Sequence, residues 1–268
     1  MKNILITGET GYIARKLRRR LVEEGLDAEC VSIRDKLPAN LCEYDTVVHC
    51  AAMVHTRRGG EAEFYRVNTD LTRRLALAFK RSGGGQFIFM STMAVYGKTG
   101  SLGRREVIDE NTPARPSGGY GRSKLLAEQA LLVLEDDSFR VAILRPPIVY
   151  GKGCPGNFRT LERVARIAPI FPYVYNERSM LHIDRLCCII YTIINENRRG
   201  VFHPQDSRYH CTSKIVRKLA LERGRRLMLS RTLGKLVSLI DVGATRKAFG
   251  SLVYGRDFSD RDIRRRSV

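Results

Sequence analysis

Paired cysteines are missing from this sequence. The seven cysteines show no C-x-x-C spacing, and the one adjacent pair, Cys187 and Cys188, lies in an apolar run. That argues against a disulfide framework or a zinc module and points to a reducing compartment, with no metal site expected. Also missing is any uninterrupted apolar run of about 18 residues, the length a membrane-spanning helix needs. The first residues, Met1-Lys2-Asn3-Ile4, enter a strand-like segment directly, without an apolar leader and small-residue cleavage site. A soluble, cytoplasmic protein is expected. Acidic residues are scarce: 28 Asp and Glu face 47 Lys and Arg, a net charge of +19 over 268 residues. Such a surface attracts anions, whether nucleotides, nucleic acid or acidic lipid headgroups. The basic residues are dispersed, however, and the runs Arg18–Arg20 and Arg264–Arg266 are short. Basic residues interleaved with aromatics, the mark of single-strand stacking, are absent, so no specific nucleic-acid partner is expected. Charge alone raises a weak association with anionic membrane surfaces. No internal repeat is visible, nor any low-complexity tract beyond Gly83-Gly84-Gly85.

The balance is that of an ordinary globular chain, 43% apolar and 28% charged, long enough to bury a sizeable core. Asn3–Thr7 is a short β-branched run that reads as a buried parallel strand. A helix follows from Tyr12 to about Glu24, stopped at Gly25. Ala28–Ile33, Thr46–Cys50, Gln86–Met90 and Arg140–Leu144 read as further strands. Helical patterns run over Glu61–Arg81 and Tyr120–Glu135. Strands alternating with helices imply βαβ units, hence a doubly wound parallel sheet of α/β class. Right-handed crossovers then bring the strand C-termini to one edge, where ligands bind. Beyond Tyr150 the character changes. Gly151–Met180 is rich in Gly, Pro and aromatics around one helix, about Phe158–Arg166. Leu181–Ile194 is apolar and returns to the main body, and the chain from Ser207 is helical and basic.

Thr7-Gly8-Glu9-Thr10-Gly11-Tyr12-Ile13-Ala14 follows a strand and opens a helix, the context that gives a glycine pattern meaning. Gly8 permits the sharp turn, Gly11 lets the backbone approach a pyrophosphate, and Ala14 is small where helix meets strand. The free amides of Thr10, Gly11, Tyr12 and Ile13 at the positive helix end suit that anion. At the end of the second strand, Ser32 and Arg34 suit a 2′-phosphate and so NADP. Asp35 suits free ribose hydroxyls and so NAD; the local chemistry leans slightly to NADP. Ala51 and Ala52, small residues after the third strand, leave room for a dinucleotide. His49, inside that strand, reads as a core histidine.

Tyr120 and Lys124 stand at i and i+4, one face of a helix. A phenol titrates near pH 10. An ammonium about 4 Å away at an effective dielectric near 20 is worth about 4 kcal/mol, or roughly three pKa units, which would bring the phenol to about 7, the best value for acid/base work. The fourth strand ends in Phe89-Met90-Ser91-Thr92, 28 residues before Tyr120, and puts a hydroxyl at the same crevice.

The chain here resembles the extended short-chain dehydrogenase/reductases, specifically the NAD-dependent epimerase/dehydratase group. The resemblance rests on Thr7–Ala14, His49–Ala52, Asn68 in Val67-Asn68-Thr69-Asp70, Ser91–Gly97 and Tyr120–Lys124. It continues through Leu144–Gly151, Gly156-Asn157-Phe158 and Arg178–Asp184, covering about Asn3–Leu186 in the family's order. It implies a Rossmann domain from 1–150 and about 181–206. A small, mixed substrate-binding cap from 151–180 and about 207–268 would complete the chain. It implies Thr92, Tyr120 and Lys124 as the catalytic set, with Lys124 also holding the nicotinamide ribose. Asn68 would support the cofactor side, and Asn157 and Arg178, with Thr92, would hold a sugar nucleotide through its diphosphate. The cofactor would be NAD or NADP. The implied reaction is at C4 of an NDP-hexose, UDP-linked by preference, foremost 4-epimerisation. An NADPH-dependent 4-keto-sugar reductase is the alternative, and a non-catalytic NAD(P)- or RNA-binding protein on the same fold is a third reading. Dehydration is disfavoured because Met93 and Ala94, not a carboxylate, follow Thr92. A homodimer through the helices carrying Asn68 and Tyr120 is also implied, although Leu125, Leu126 and Leu131 could equally be core.

Overall fold

The computed structural model describes residues 2–54 and 60–259. The central sheet is built from β1 (Asn3–Thr7), β2 (Asp27–Val31), β3 (Thr46–His49), β4 (Gln86–Met90), β6 (Arg140–Leu144) and β10 (Gly200–Phe202), β5 being introduced below. The order is β10-β6-β4-β3-β1-β2, and every pairing is parallel. This is the doubly wound Rossmann arrangement, with its reversal of strand order between β1 and β3. Period-two geometry splits each strand between two cores. Ile4, Ile6, Val48 and Ile88 face α1 (Tyr12–Glu23) and α6 (Ile183–Asn195). Leu5, Val47, Phe87 and Phe89 face α3 (Leu71–Arg81) and α4 (Gly119–Leu134).

The strand expected over Ala28–Ile33 ends at Val31, because the amides of Gly8 and Glu9 take the Val31 carbonyl and turn the chain away. The helix expected over Glu61–Arg81 is a composite: α2 (Gly60–Phe64), a π-helical stretch Tyr65–Asp70, then α3. The wide turn sits where Asn68 meets α4, a common place for such a bulge. Strand β10 was not foreseen; three residues between a helix and a polar loop carry no periodic signal.

The segments expected to form a cap supply α5 (Asn157–Ile167), β8 (Ile170–Pro172), α7 (Thr212–Leu221), β11 (Met228–Ser230), α8 (Arg231–Leu239) and α9 (Gly243–Phe249). Their own apolar cluster joins Phe158, Met180, Val216 and Leu219. A short parallel pair, β7 (Ile148–Tyr150) with β9 (Met180–His182), leads into this region. The last strand, β12 (Ser251–Tyr254), pairs with β5 (Arg105–Ile108) instead, so the chain comes back to the first half of the molecule. All seven cysteines are free, no group of side chains among the described residues could hold a metal ion, and no described helix is long and apolar enough to cross a membrane.

Candidate active site

The loop between β1 and α1 is shaped by backbone contact. Gly8 has φ +90°, a conformation that favours glycine. A Cβ there would lie 2.9 Å from the Ala51 amide nitrogen. Gly11, which caps α1, donates to the Gly8 carbonyl at 2.7 Å. No side chain caps the helix and its first turn carries no acid, so Thr10, Gly11, Tyr12 and Ile13 form an open cationic helix end. Glycine where a Cβ would collide and amides without a side-chain cap fit a pyrophosphate. A Gly8→Ala chain should lose at least about 1–3 kcal/mol of stability from backbone strain. Thermal melting with and without dinucleotide would show that loss together with weakened binding.

The individual positions divide. The Tyr12 hydroxyl reaches the Lys152 carbonyl at 3.2 Å, burial pushing its pKa up to about 12, so α1 is tied to the chain after β7. Ala51 abuts Gly8, and Ala52 is exposed beside it. Ser32 and Arg34 are exposed at the end of β2, and Arg34 makes no ion pair among the described residues. A cleft of about 610 Å³ runs beside the loop, lined by Glu9, Thr10, Arg15, Arg18, Glu29 and Cys30. Arg15 and Arg18, the latter noted above only as part of a short basic run, sit one turn apart on α1, and Arg18 donates to the Ala28 carbonyl at 3.1 Å.

His49 is a satisfied core residue. Its ring nitrogens meet the hydroxyls of Thr7 and Thr72 at 2.6 and 2.8 Å, and burial with the nearby Lys124 charge drives its pKa down to about 3. The Asn68 amide is likewise engaged. It bonds both backbone groups of Met53, at 2.8 and 2.9 Å, and donates to the Ser123 hydroxyl at 3.0 Å. With both donors used inside the protein, Asn68 positions the chain after β3 against α4.

Tyr120 and Lys124 share a face of α4, as their spacing requires, and Thr92, just past the end of β4, is near enough to influence the phenol. The expected electrostatics is corrected. Burial pushes the Tyr120 pKa up to about 12, with the Thr92 bond pulling the other way. The Lys124 ammonium is buried, donates to the Met90 carbonyl at 2.7 Å and lies 4.4 Å from the Phe89 ring centroid. Burial lowers its pKa to about 8, opposed by Cys50 and Glu128. Burial rather than the Lys124 charge therefore sets the direction for Tyr120, and the ligand-free phenol is expected to keep its proton at pH 7. A titration checks this: phenolate absorbance should not distinguish the ligand-free protein from Tyr120→Phe up to pH 10. A difference appearing near pH 7 would restore the simpler arithmetic.

Beneath this site lie Glu128, which the sequence reading missed, and Arg145, which the resemblance implies to be structural on the nicotinamide side. Glu128, another turn along α4, is buried and gripped by Arg145 through contacts of 2.6, 3.1 and 3.2 Å, and it accepts from Ser91. Arg145 also donates to the Tyr96 hydroxyl at 2.9 Å, while its carbonyl accepts from Tyr254 at 2.7 Å. The i, i+4, i+8 series Tyr120-Lys124-Glu128 was the available signal. Gly121 lies where a Cβ would be 2.7 Å from the Ala94 carbonyl, so its lack of a side chain lets α4 meet the turn Met93–Tyr96. Tyr150, at the end of β7, donates to Asp206 at 2.7 Å.

Asn157 opens α5. Arg178 is half-buried and one of its terminal nitrogens donates to the carbonyls of Arg246, Lys247 and Gly250, at and just past the end of α9. The residue also lines a cavity of about 290 Å³ together with Phe158, Leu161, Met180, Ile215 and Lys247. Arg178 thus anchors α9 as well as facing this space.

A parallel sheet with a glycine turn at β1, and a hydroxyl, phenol and ammonium gathered at the end of β4, define a dinucleotide-dependent oxidoreductase. Residues 4–200 match the NAD dependent epimerase/dehydratase family, and the chain belongs to that family of NAD(P)-dependent enzymes. It is 34% identical over 249 residues to UDP-glucose 4-epimerase of Vibrio cholerae, covering 82% of this chain and 75% of that protein. It is 28% identical to N-acetyl-alpha-D-glucosaminyl-diphospho-ditrans,octacis-undecaprenol 4-epimerase of Escherichia coli O157:H7, over 61% of this chain and 54% of that one. The fold is similar to UDP-glucuronic acid 4-epimerase from Bacillus cereus in complex with NAD: TM-score 0.75, 17% identity, 100% of this chain and 92% of that one. It is similar also to dTDP-4-dehydrorhamnose reductase from Bacillus anthracis in complex with NADP: TM-score 0.69, 21% identity, 87% and 85% covered.

Proposed function

We propose that this enzyme is a 4-epimerase of a UDP-linked hexose. The observation that carries the reading is Tyr120 and the buried Lys124 on one face of α4, with Thr92 near enough to the phenol to oppose its burial, at the strand edge where Ala51 meets Gly8. Gly8, Thr10, Gly11, Tyr12 and Ile13 would hold the pyrophosphate of the family's dinucleotide, Ser32 and Arg34 its adenosine end and Lys124 its nicotinamide ribose, and when bound it would supply the hydride acceptor and donor at C4. The protein's own part is proton handling at O4. For the oxidation Tyr120 first gives its own proton to solvent, a loss that a freed Lys124 ammonium favours by stabilising the phenolate; the phenolate then takes the O4 proton while Thr92 orients that oxygen, and the phenol so formed returns a proton when the 4-keto oxygen is reduced. Delivery of a proton to a 4-keto oxygen needs the neutral phenol and proceeds from the state described. Asn157 and Arg178, with the apolar wall of the 290 Å³ cavity, would hold the nucleotide diphosphate within a cap formed by 151–180 and part of 207–268. The relatives support this reading: the 34% identical protein is a UDP-glucose 4-epimerase.

A 4-keto-sugar reductase is the second reading, favoured by the exposed and unpaired Arg34. Arg34→Ala should weaken NADPH binding on the order of tenfold, about 1.4 kcal/mol, and leave NADH binding unchanged in calorimetry. Equal loss for both would remove the 2′-phosphate assignment. The function itself is tested by offering UDP-hexoses with NAD and a 4-keto-sugar nucleotide with NADPH. Interconversion of the C4 epimers supports the first reading and NADPH consumption supports the second. Inactivity with both would favour the non-catalytic reading. The dimer belongs to the proposal too: Leu131 is core and Leu125 packs inward, but Leu126, Leu132 and Val133 leave α4 an exposed apolar edge.

A further inference from the structure

Helix α8 is turned the wrong way round for a helix on a water-facing surface. Its only buried residue is a glycine. Gly234 is buried, and a Cβ on it would lie 2.0 Å from the Tyr173 carbonyl, while the Ser238 hydroxyl folds back on the Gly234 carbonyl at 2.9 Å. Its large apolar residues face out. Leu236 is 55% exposed and Leu239 81%, with Leu233, Ile240 and Val242 exposed around them. At 100° per residue, Leu236 and Leu239 stand roughly opposite Gly234. The neighbouring elements continue this surface. Strand β8 packs on α8, and its Ile170 is the register partner of Met228; both are exposed, Met228 by 69%. An apolar crest of this kind marks an interaction site.

The charges around it indicate the partner. Between 223 and 250 the chain has seven basic residues and one acid, Asp241, which is paired to Arg246 at 2.6 Å. Arg226, Arg231, Lys235 and Lys247 are exposed and form no ion pair among the described residues. Outward leucines flanked by free cations match the interface of an anionic bilayer, whose acyl chains take the apolar face and whose headgroups take the charge. A second copy would bring the same basic rim and the same net charge of +19 against this one, so charge complementarity favours lipid.

We propose that the face formed by α8 and the end of β11 docks this enzyme on anionic membrane surfaces. Phospholipid vesicles provide the test, with the whole chain and without any sugar substrate, so the result is independent of the reaction assigned above. Wild-type protein should sediment with vesicles of equal phosphatidylglycerol and phosphatidylcholine at low salt, and not with phosphatidylcholine alone. Leu236→Ser with Leu239→Ser should weaken that binding by roughly tenfold or more, because both side chains would leave the acyl boundary. Lys235→Glu should weaken it by about tenfold and make the remainder less sensitive to salt. All three positions are exposed, so the variants should melt with the wild type and turn over soluble substrate alike. Failure of the wild type to bind anionic vesicles at low salt would overturn the proposal, as would undiminished binding by the double variant. A wild-type dimer that the double variant splits, without vesicle binding, would make the face a self-association surface and likewise overturn it.

Discussion

Tyr120→Phe should cost about 10²- to 10⁴-fold in turnover, the usual size of a general acid/base contribution. Phenylalanine keeps the ring against Phe64, whose centroid lies 6.3 Å away, and removes only the hydroxyl that meets Thr92. The melting temperature should therefore change little, and dinucleotide affinity should stay within a few-fold of wild type. Loss of kcat at unchanged binding separates proton transfer from assembly of the site. If turnover of a sugar nucleotide were unaffected, the phenol would not be the proton carrier and the catalytic assignment would fail.

Arg145→Met should destabilise the fold by about 3–5 kcal/mol, the cost of leaving one partner of a buried ion pair alone. Glu128 is 1% exposed, and Arg145 supplies three of its contacts. Without the guanidinium the carboxylate keeps Ser91 but faces no buried cation except Lys124. The loss extends beyond the pair, since Arg145 also donates to Tyr96 and its carbonyl receives Tyr254 from β12. Urea unfolding would measure the difference, and raising the pH should deepen it, because an unpaired buried carboxyl has a raised pKa and charges as pH climbs. The double variant Arg145→Met with Glu128→Leu should recover much of the loss. A single-variant cost under about 1 kcal/mol would show that water reaches the pair.

The parts of the molecule with strong local signals were legible beforehand. Asn3–Thr7 was bounded by a glycine and carried the β-branched Ile4, Ile6 and Thr7, and it is the strand it promised to be. Tyr120 and Lys124 share a helix face because 3.6-residue periodicity leaves little choice. What local pattern cannot carry is the environment of a group. Nothing in Tyr120-Gly121-Arg122-Ser123-Lys124 says that the ammonium will turn to the carbonyl of Met90, a residue 34 positions away. That turn, with burial, reverses the expected direction of the phenol's pKa. The same holds for Asn68, whose amide is engaged by Met53 and Ser123, and for Arg178, held by carbonyls near α9. From Ser207 onward the pattern gave only a basic helical region; the outward leucines of α8 depend on the packing of Gly234 against Tyr173, which no local pattern carries.

The central claim is oxidation and reduction at C4 of a nucleotide hexose, and isotopic labelling reaches it most directly. UDP-glucose carrying deuterium at C4 would be incubated with the protein and NAD, and the products followed by proton NMR. The account predicts that UDP-galactose forms with the deuterium kept at C4, as return of the same hydride to the opposite face requires. Epimerisation with deuterium lost to solvent, or no change in any UDP-hexose while the folded protein binds its dinucleotide, would contradict it.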